Sequence, residues 1–213
     1  MMIVLFAAAG CETTGFDALL GDSEDRAKRL ASKGEYAEAA SVYIALASEK
    51  TGSERDRLTL LAVEQWLDAG DIGRAKNAFG SVPRPTAGSP LAVWQTNKAA
   101  FLLYDGSADE ALRLLEPMSR ESLATRVRLR VEALRADAWI QKQDPARAVQ
   151  LMMQRESWID DRQDIEQNRR RLWQGLLVSS PQVLREAAEK SADPIVRGWL
   201  ILGSLGASTG QQG

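Results

Sequence analysis

The side chains that could do chemistry in this chain are few, and their types exclude most kinds of catalytic site. The 213-residue sequence contains no histidine, which excludes histidine-based acid–base catalysis, Ser-His and Cys-His nucleophilic pairs and imidazole zinc sites. A single cysteine, Cys11, allows neither an internal disulfide nor a multi-thiolate metal site. The sequence has no phosphate-binding loop and no nucleophile elbow. We therefore expect no catalytic residue, no metal site and no cofactor.

Two charged clusters could bind a ligand. The run Arg169–Arg171 could bind a phosphate or an acidic partner, but three consecutive residues on a helix point in three directions, which favours a solvated face. Four acidic residues between positions 160 and 166 could bind a divalent cation. Because no glycine-containing calcium loop accompanies them, we interpret them as helix N-terminal residues stabilised by the helix dipole. A glycosidase-like carboxylate pair stays open at this point, because 29 acidic residues always allow such pairs.

Six tryptophans could form an aromatic groove for sugars or peptides. Most of them fall on apolar stripes of helical spacing, which favours packing in the core instead. Trp158 lies between two helical segments, and we expect it to be the most exposed of the six. The six are Trp66, Trp94, Trp139, Trp158, Trp173 and Trp199.

The position of Cys11 suggests a different chemistry, which is the attachment of lipid. The apolar run Ile3–Ala9 is far shorter than the roughly 20 residues of a membrane-spanning helix, and its length fits the apolar region of a signal peptide. Ala8–Cys11 closes the run and resembles a bacterial lipobox, so residues 1–11 are predicted to be a signal peptide and lipobox with Cys11 as the lipidation site. Because Glu12 is not the aspartate associated with inner-membrane retention, we expect a lipid-anchored protein at the periplasmic face of the outer membrane. The alternative is a short buried N-terminal segment with an inert thiol.

The composition is typical of a folded globular protein, and its charge balance does not suggest nucleic-acid binding. Hydrophobic residues make up 45% of the sequence and charged residues 26%, as in globular domains. The formal net charge is −2, whereas nucleic-acid binding usually needs a basic patch. We therefore expect no nucleic-acid partner.

A short phrase recurs four times and indicates which elements position these side chains. Each copy has a turn residue followed five positions later by an alanine, and successive alanines lie 36, 36 and 37 residues apart. A period in the mid-thirties, with a turn between two helical patterns, predicts a helical-hairpin solenoid. The copies begin at Gly34, Gly70, Gly106 and Gln143, and their alanines are Ala39, Ala75, Ala111 and Ala148.

These alanines are the predicted packing positions of the repeats. An alanine lets the two helices of a hairpin cross closely, and a large side chain four residues later, Tyr43 or Phe79, is expected to contact the next repeat. Asp144 and Pro145 form an N-cap and first-turn proline ahead of one of these helices. No stretch alternates as a strand would. We predict an all-α fold, a helical-hairpin solenoid of about four pairs in a right-handed superhelix.

The same features divide the chain into segments. Residues 12–21 contain turn formers and little periodicity, which predicts a flexible tether. Residues 22–205 are the predicted repeat domain, whose last helix carries Ile195, Trp199 and Leu202. Residues 206–213 are rich in glycine, serine and glutamine and are predicted to be a flexible tail.

The repeats resemble tetratricopeptide repeats in their Gly34-Glu35-Tyr36 and Gly70-Asp71-Ile72 turns and in the alanines that follow. The chain is also similar to the N-terminal helical domain of the LpoA (LppC) family of penicillin-binding-protein activators. In that family a Gly-Trp-Leu segment follows an Ala-Asp-rich turn. The segments that carry this resemblance are residues 60–64, 135–139, the helix around Trp173, 191–193 and 195–200.

The resemblance implies a function without chemistry of its own. Members of the family are outer-membrane lipoproteins that activate a class A penicillin-binding protein, a peptidoglycan synthase, from the far side of the periplasm. They carry a second domain, similar to periplasmic ligand-binding proteins, which makes the contact with the synthase. That domain is not among the 213 residues, so we expect either a fragment of a longer protein or a truncated relative. On this interpretation the partners are the synthase and the outer membrane, and there is no small-molecule substrate.

Two alternatives from other classes remain. The first is an outer-membrane assembly or scaffold lipoprotein built from tetratricopeptide repeats. The second is a helical accessory domain of a peptidoglycan lytic enzyme, which a test for glutamate-dependent muramidase activity would distinguish from the other two.

Overall fold

A computed structural model describes residues 14–120 and 123–210, and within those ranges the chain is helical and contains no strand. The all-α prediction is confirmed. The α-helices are α1 Thr14–Ser32, α2 Tyr36–Ser48, α3 Gly52–Asp68, α4 Ile72–Gly80, α5 Gly88–Tyr104, α6 Ala108–Leu115, α7 Thr125–Gln141, α8 Pro145–Glu156, α9 Arg162–Leu177, α10 Pro181–Lys190 and α11 Pro194–Gly210, and a 3-10 helix, Pro117–Arg120, follows α6.

The helices form two compact units, Met1–Val82 and Pro83–Gly213. In the first unit α2 packs against α1 and α3, and α3 packs against α4. Helix α3 is the centre of this unit, because its nine consecutive residues Leu58–Trp66 are all buried. Its apolar stripe therefore accounts for only one side of the helix, and polar side chains such as Glu64 and Gln65 are enclosed on the others.

The four hairpin turns share one backbone geometry. In each, a single residue adopts a positive φ, and two backbone N–H groups bond back across the end of the first helix. In the first turn Gly34 donates to the Ala31 carbonyl at 3.0 Å and Glu35 donates to the Leu30 carbonyl at 3.0 Å, which is the Schellman pattern of helix ends. The φ angles are +83° at Gly34, +77° at Gly70, +77° at Gly106 and +59° at Gln143.

The fourth turn reaches this geometry without a glycine. Gln143 donates to the Ile140 carbonyl and Asp144 donates to the Trp139 carbonyl, each at 2.9 Å. A side chain in the left-handed region costs about 1 kcal/mol, which the two hydrogen bonds and the packing of α7 on α8 must offset.

The alanines that the repeat pattern identifies are enclosed in the cores of their units. Ala39, Ala75, Ala111 and Ala148 are all 0% exposed. The large residues four positions later are mostly buried too: Tyr43, Leu115 and Met152 lie in the cores, and Phe79 is half-buried. Small side chains at helix crossings allow close approach, and any added volume would have to displace neighbouring atoms.

The second unit has two apolar clusters. One joins α5, α6 and α7 around Ala99, Ala111 and Val131. The other is formed by the five helices α7, α8, α9, α10 and α11 and includes Leu176 and Leu200. Each cluster is assembled from the buried faces of several helices, so the second unit continues beyond the fourth hairpin into α9–α11.

Both ends of the described chain are more helical than the sequence predicts. Helix α1 begins at Thr14, inside the predicted tether 12–21, where Ala18, Leu19 and Leu20 are strong helix formers. Helix α11 runs to Gly210, inside the predicted tail 206–213. The reason is tertiary packing, which overrides the low helix propensity of its glycines. Residues 1–13, including the predicted lipobox and Cys11, lie outside the described ranges.

Glycine brings α11 close to α9. A Cβ atom built on Gly206 would lie 2.9 Å from Leu177 Cδ2 and 2.9 Å from Trp173 Cζ2. A Cβ on Gly203 would lie 3.0 Å from Leu176 Cβ. Real Cβ contacts are rarely this short, so the two glycines permit the observed contact between the helices.

Candidate interaction surface

The acidic cluster at residues 160–166 is used to start a helix. The Asp161 carboxylate accepts hydrogen bonds from the backbone N–H groups of Gln163 at 2.8 Å and Asp164 at 3.2 Å, and so caps α9. This matches the interpretation of these acids as helix N-terminal residues. Among the described residues no group of three or more histidine, cysteine, aspartate or glutamate side chains could hold a metal ion.

The arginine run lies on a solvated face, as the sequence predicts, and two of its members also pair with neighbouring helices. Arg169 forms a two-pronged ion pair with Glu156 at the end of α8, with a shortest contact of 2.5 Å. Arg171 pairs with Asp137 on α7 at 2.5 Å. The Arg169 side chain is 54% exposed, as a solvated face requires, and that of Arg171 is 37% exposed. The sequence pattern of α9 alone does not reveal the acidic side chains of adjacent helices that lie within reach of the two. Arg170 is exposed.

A polar centre lies beneath this run. Arg155 donates from Nε to the Leu129 carbonyl at 2.8 Å and from Nη1 to Asn168 Oδ1 at 2.5 Å. The buried Asn168 amide donates to the Met152 carbonyl at 3.0 Å. Burial, reinforced by the nearby charge of Arg171, lowers the pKa of Arg155 to about 10, so the guanidinium stays protonated at neutral pH. These bonds join α7, α8 and α9.

The tryptophans do not form an exposed aromatic groove. None of the six is among the large hydrophobic side chains that are exposed in the described part of the chain. Trp158, the one expected to be most exposed, is partly buried, and the Arg128 guanidinium lies 5.3 Å from its ring centroid. Arg147 covers Trp139 in the same way at 4.4 Å. Arginine stacking shields these rings from solvent.

An open groove of about 660 Å³ lies between the start of α8, the end of α10 and the loop before α11. Its charged residues are Asp144, Glu186, Lys190 and Asp193. Two of these carboxylates serve the protein's own backbone: Asp144 accepts from the Arg147 N–H at 3.2 Å, and Asp193 accepts from the first N–H groups of α11 at 2.8 and 3.3 Å. The groove is therefore formed mainly by the capped N-terminal ends of α8 and α11.

The most distinctive surface of the second unit is apolar and lies on α11 and at the end of α9. We call it the C-terminal apolar surface. It contains six of the seven large hydrophobic side chains that are exposed in the described residues, with exposed fractions from 37% to 80%. Its members are Leu177, Val178, Ile195, Ile201, Leu202 and Leu205.

Helix α11 exposes apolar residues because it is apolar on both sides. Val196, Leu200 and Ala207 are buried on the side that packs against α8, α9 and α10. Between Pro194 and Gly210 the only charged residue is Arg197. Helices that are apolar all round are normally buried. An exposed apolar patch of this kind marks an interaction site.

The sequence places Ile195, Trp199 and Leu202 on the last helix but does not separate its two sides. The structure separates them: Trp199 is partly buried, whereas Ile195 and Leu202 are more than half exposed. The signal that could have identified this surface is the presence of one charged residue in a 17-residue helix. Searching the described helices for a segment long and apolar enough to cross a membrane finds none.

Comparison with known proteins identifies a fold that this chain shares. No family model and no curated protein sequence matches the chain. Among solved structures, the crystal structure of the E. coli LpoA amino-terminal domain is similar, with a TM-score of 0.57 and 19% sequence identity over 81% of this chain and 76% of that chain. At this identity the similarity establishes the helical fold and leaves function to be argued from other observations.

Proposed function

We propose that this chain is a non-enzymatic interaction module that supports peptidoglycan synthesis by helping to activate a class A penicillin-binding protein. The observation that carries the proposal is the similarity in fold to the LpoA amino-terminal domain over four fifths of the chain. The LpoA-like segments at residues 135–139 and 195–200 agree with it.

The arrangement of the polar side chains supports a role without catalysis. Several of the charged groups that the sequence singles out are engaged in structure: Asp161 caps a helix, and Arg169 and Arg171 pair with adjacent helices. Arg155, which the sequence does not single out, bonds to a carbonyl and an amide. Catalytic sites instead direct such groups into a pocket where substrate can reach them. The apolar surface on α11 is suited to contact another protein.

The proposed location is the periplasmic face of the outer membrane, with lipid on Cys11 as the anchor. Each buried CH₂ of an acyl chain contributes about 0.8 kcal/mol, so several chains hold a protein at a membrane stably where one chain does not. A tethered helical array raises the effective concentration of its partner-binding parts near the synthase, and needs no chemistry to do so.

Deletion of the gene tests the proposed activity. We expect lower glycan polymerisation or cross-linking by the cognate synthase and increased sensitivity to β-lactams, both restored by the wild-type gene. If peptidoglycan and β-lactam sensitivity are unchanged while outer-membrane proteins fail to assemble, the scaffold alternative replaces this proposal.

The anchor is tested separately with radiolabelled palmitate in cells that express the gene from its full native start. We expect label in the wild-type protein and none in the Cys11→Ala variant. Equal labelling of the two proteins would refute Cys11 as the attachment site and would leave the proposed activity to be tested by the deletion.

A further inference from the structure

The exposed side of α11 has the spacing of a helix-pairing seam. Ile195, Gly198, Leu202 and Leu205 follow one another at intervals of three, four and three residues, which are the a and d positions of a heptad. The three apolar members are between 55% and 61% exposed. The core of the second unit does not use this seam, because α11 buries the opposite side through Val196 and Leu200.

The seam is uncharged, which limits the partners that it fits. The only charged side chain of α11, Arg197, is bound to the Ser191 carbonyl through Nε at 3.2 Å and Nη2 at 2.6 Å. A partner that relied on charge would find no complementary group along the seam. A second copy of the same seam brings no like charges together, so a two-fold pairing carries no electrostatic penalty.

The shape of the seam also suits pairing with itself. At Gly198 no side-chain or neighbouring atom lies within 4 Å of the position a Cβ would occupy, so there is a gap between Ile195 and Leu202. If two α11 helices run antiparallel about an axis near residue 200, the gap of one faces Leu202 of the other. Large side chains then enter gaps in the partner helix, as close packing requires.

We propose that the C-terminal apolar surface is a self-association surface, on which α11 packs antiparallel against α11 of a second copy of this chain. Leu177, at the end of α9, extends the contact beside the seam, since its Cδ2 lies 2.9 Å from the position that a Cβ on Gly206 would occupy. The six exposed side chains provide on the order of 500 Å² of apolar area, which is at the upper end for a monomer surface.

The area of the C-terminal apolar surface determines how tightly two copies are expected to bind. Stable interfaces bury about 800 Å² on each partner, and smaller ones belong to weak or transient complexes. The dimer is therefore a weak one, with a Kd on the order of 10–100 µM. This association is independent of the proposed role in peptidoglycan synthesis, because it rests on α11 alone.

Sedimentation equilibrium of the full chain under reducing conditions tests the inference, and the reductant prevents a disulfide through Cys11. Between about 5 and 300 µM we expect the average mass to rise from one chain towards two. In the double variant Leu202→Glu, Leu205→Glu the carboxylates would enter the Gly198 gap and face Ile195 of the other copy, which buries four charges without partners, and we expect Kd to rise at least ~100-fold. Circular dichroism verifies that the variant remains helical.

Tyr104→Glu is the matched control. Tyr104 is 62% exposed and is the one large exposed hydrophobic side chain of the described residues that lies outside the C-terminal apolar surface. We expect this variant to associate like the wild type. A wild-type chain that stays monomeric at 300 µM overturns the inference, and so does a double variant that associates as tightly as the wild type.

Hydrogen exchange provides a test that needs no variant. Backbone amides of residues 195–205 should exchange several-fold more slowly at 300 µM than at 5 µM, while those of α5 should be unchanged. Concentration-dependent protection elsewhere, with none in α11, would show that the chain associates through a different surface.

Discussion

The four hairpins and the three helices that follow them differ in how they complete their surfaces. In the hairpins, buried alanines lie at the crossings and charged residues face solvent; in α1, for example, Asp25, Lys28 and Arg29 are exposed around the buried Ala27. In α9–α11, glycines lie where α11 crosses α9, and the outer side of α11 is apolar. The outer faces of the hairpins are therefore polar and solvated, whereas α11 exposes an apolar surface that a partner can cover.

The difference shows that helices of one chain can be packed in similar cores and still have different outer chemistry. The hairpins combine buried alanines with charged residues on their outer faces. Helix α11 contributes to the core but exposes an apolar side.

Enlarging a hairpin crossing should have the largest effect. Ala39→Leu adds three carbon atoms at a position with 0% exposure, and we expect the free energy of unfolding to fall by about 2–3 kcal/mol. Urea denaturation measures it. Ala37→Leu, two residues earlier on the exposed side of α2, is the control and should change stability by less than about 0.5 kcal/mol. Equal effects at the two positions would mean that the crossing is not tightly packed.

The glycine crossing of α11 should be sensitive to a single carbon. Gly206→Ala places a Cβ 2.9 Å from the Trp173 ring, and we expect a loss of about 1–2 kcal/mol despite the better helix propensity of alanine. Gly198→Ala is the control: its Cβ meets no atom within 4 Å, and we expect a gain of about 0.5–1 kcal/mol. Thermal unfolding compares the two variants. A gain at both positions would contradict a close contact between α11 and α9.

The one hairpin turn without glycine should be improvable. Gln143→Gly relieves a positive φ of +59°, and we expect the free energy of unfolding to rise by about 0.5–1 kcal/mol. The reverse change in the third turn, Gly106→Gln, should lower it by about 1 kcal/mol, because φ there is +77° and no neighbour obstructs the Cβ. Stabilisation by Gly106→Gln would refute the shared turn geometry.

The charged exterior of the first hairpin should contribute least, and in a pH-dependent way. The Arg57 guanidinium bonds to Glu24 at 2.8 Å and lowers the pKa of that carboxyl below its usual 4.5. A lowered pKa stabilises the fold above pH 4.5, and the stabilisation is lost as pH falls through the folded-state value. Glu24→Gln should therefore cost about 0.5 kcal/mol at pH 7 and progressively less towards pH 3.

Chemical denaturation at several pH values measures that difference. The matched control is the same Glu24→Gln change in an Arg57→Gln background, where the partner is absent and the change should have little effect at any pH. A cost for Glu24→Gln that stays constant from pH 7 to pH 3 would show that the ion pair is not its source.

The features that the sequence determined by itself are local. Hydrogen bonds across a helix end span six residues, so Gly34, Gly70 and Gly106 identify their turns without knowledge of the rest of the fold. Capping spans three or four residues, and Asp144 caps α8 as its position before Pro145 indicates. Helical spacing of apolar residues is equally local, and it was enough to predict an all-α chain.

The tertiary structure decided what depends on distant neighbours. The Arg169 and Arg171 ion pairs, the cover of Arg128 over Trp158 and the helical state of residues 206–210 all come from contacts between different helices. The exposure of one side of α11 also depends on contacts between different helices. The sequence shows that α11 is apolar on both sides, so either side could be buried in the core. Only the packing of α8, α9 and α10 determines which side is buried and which remains exposed.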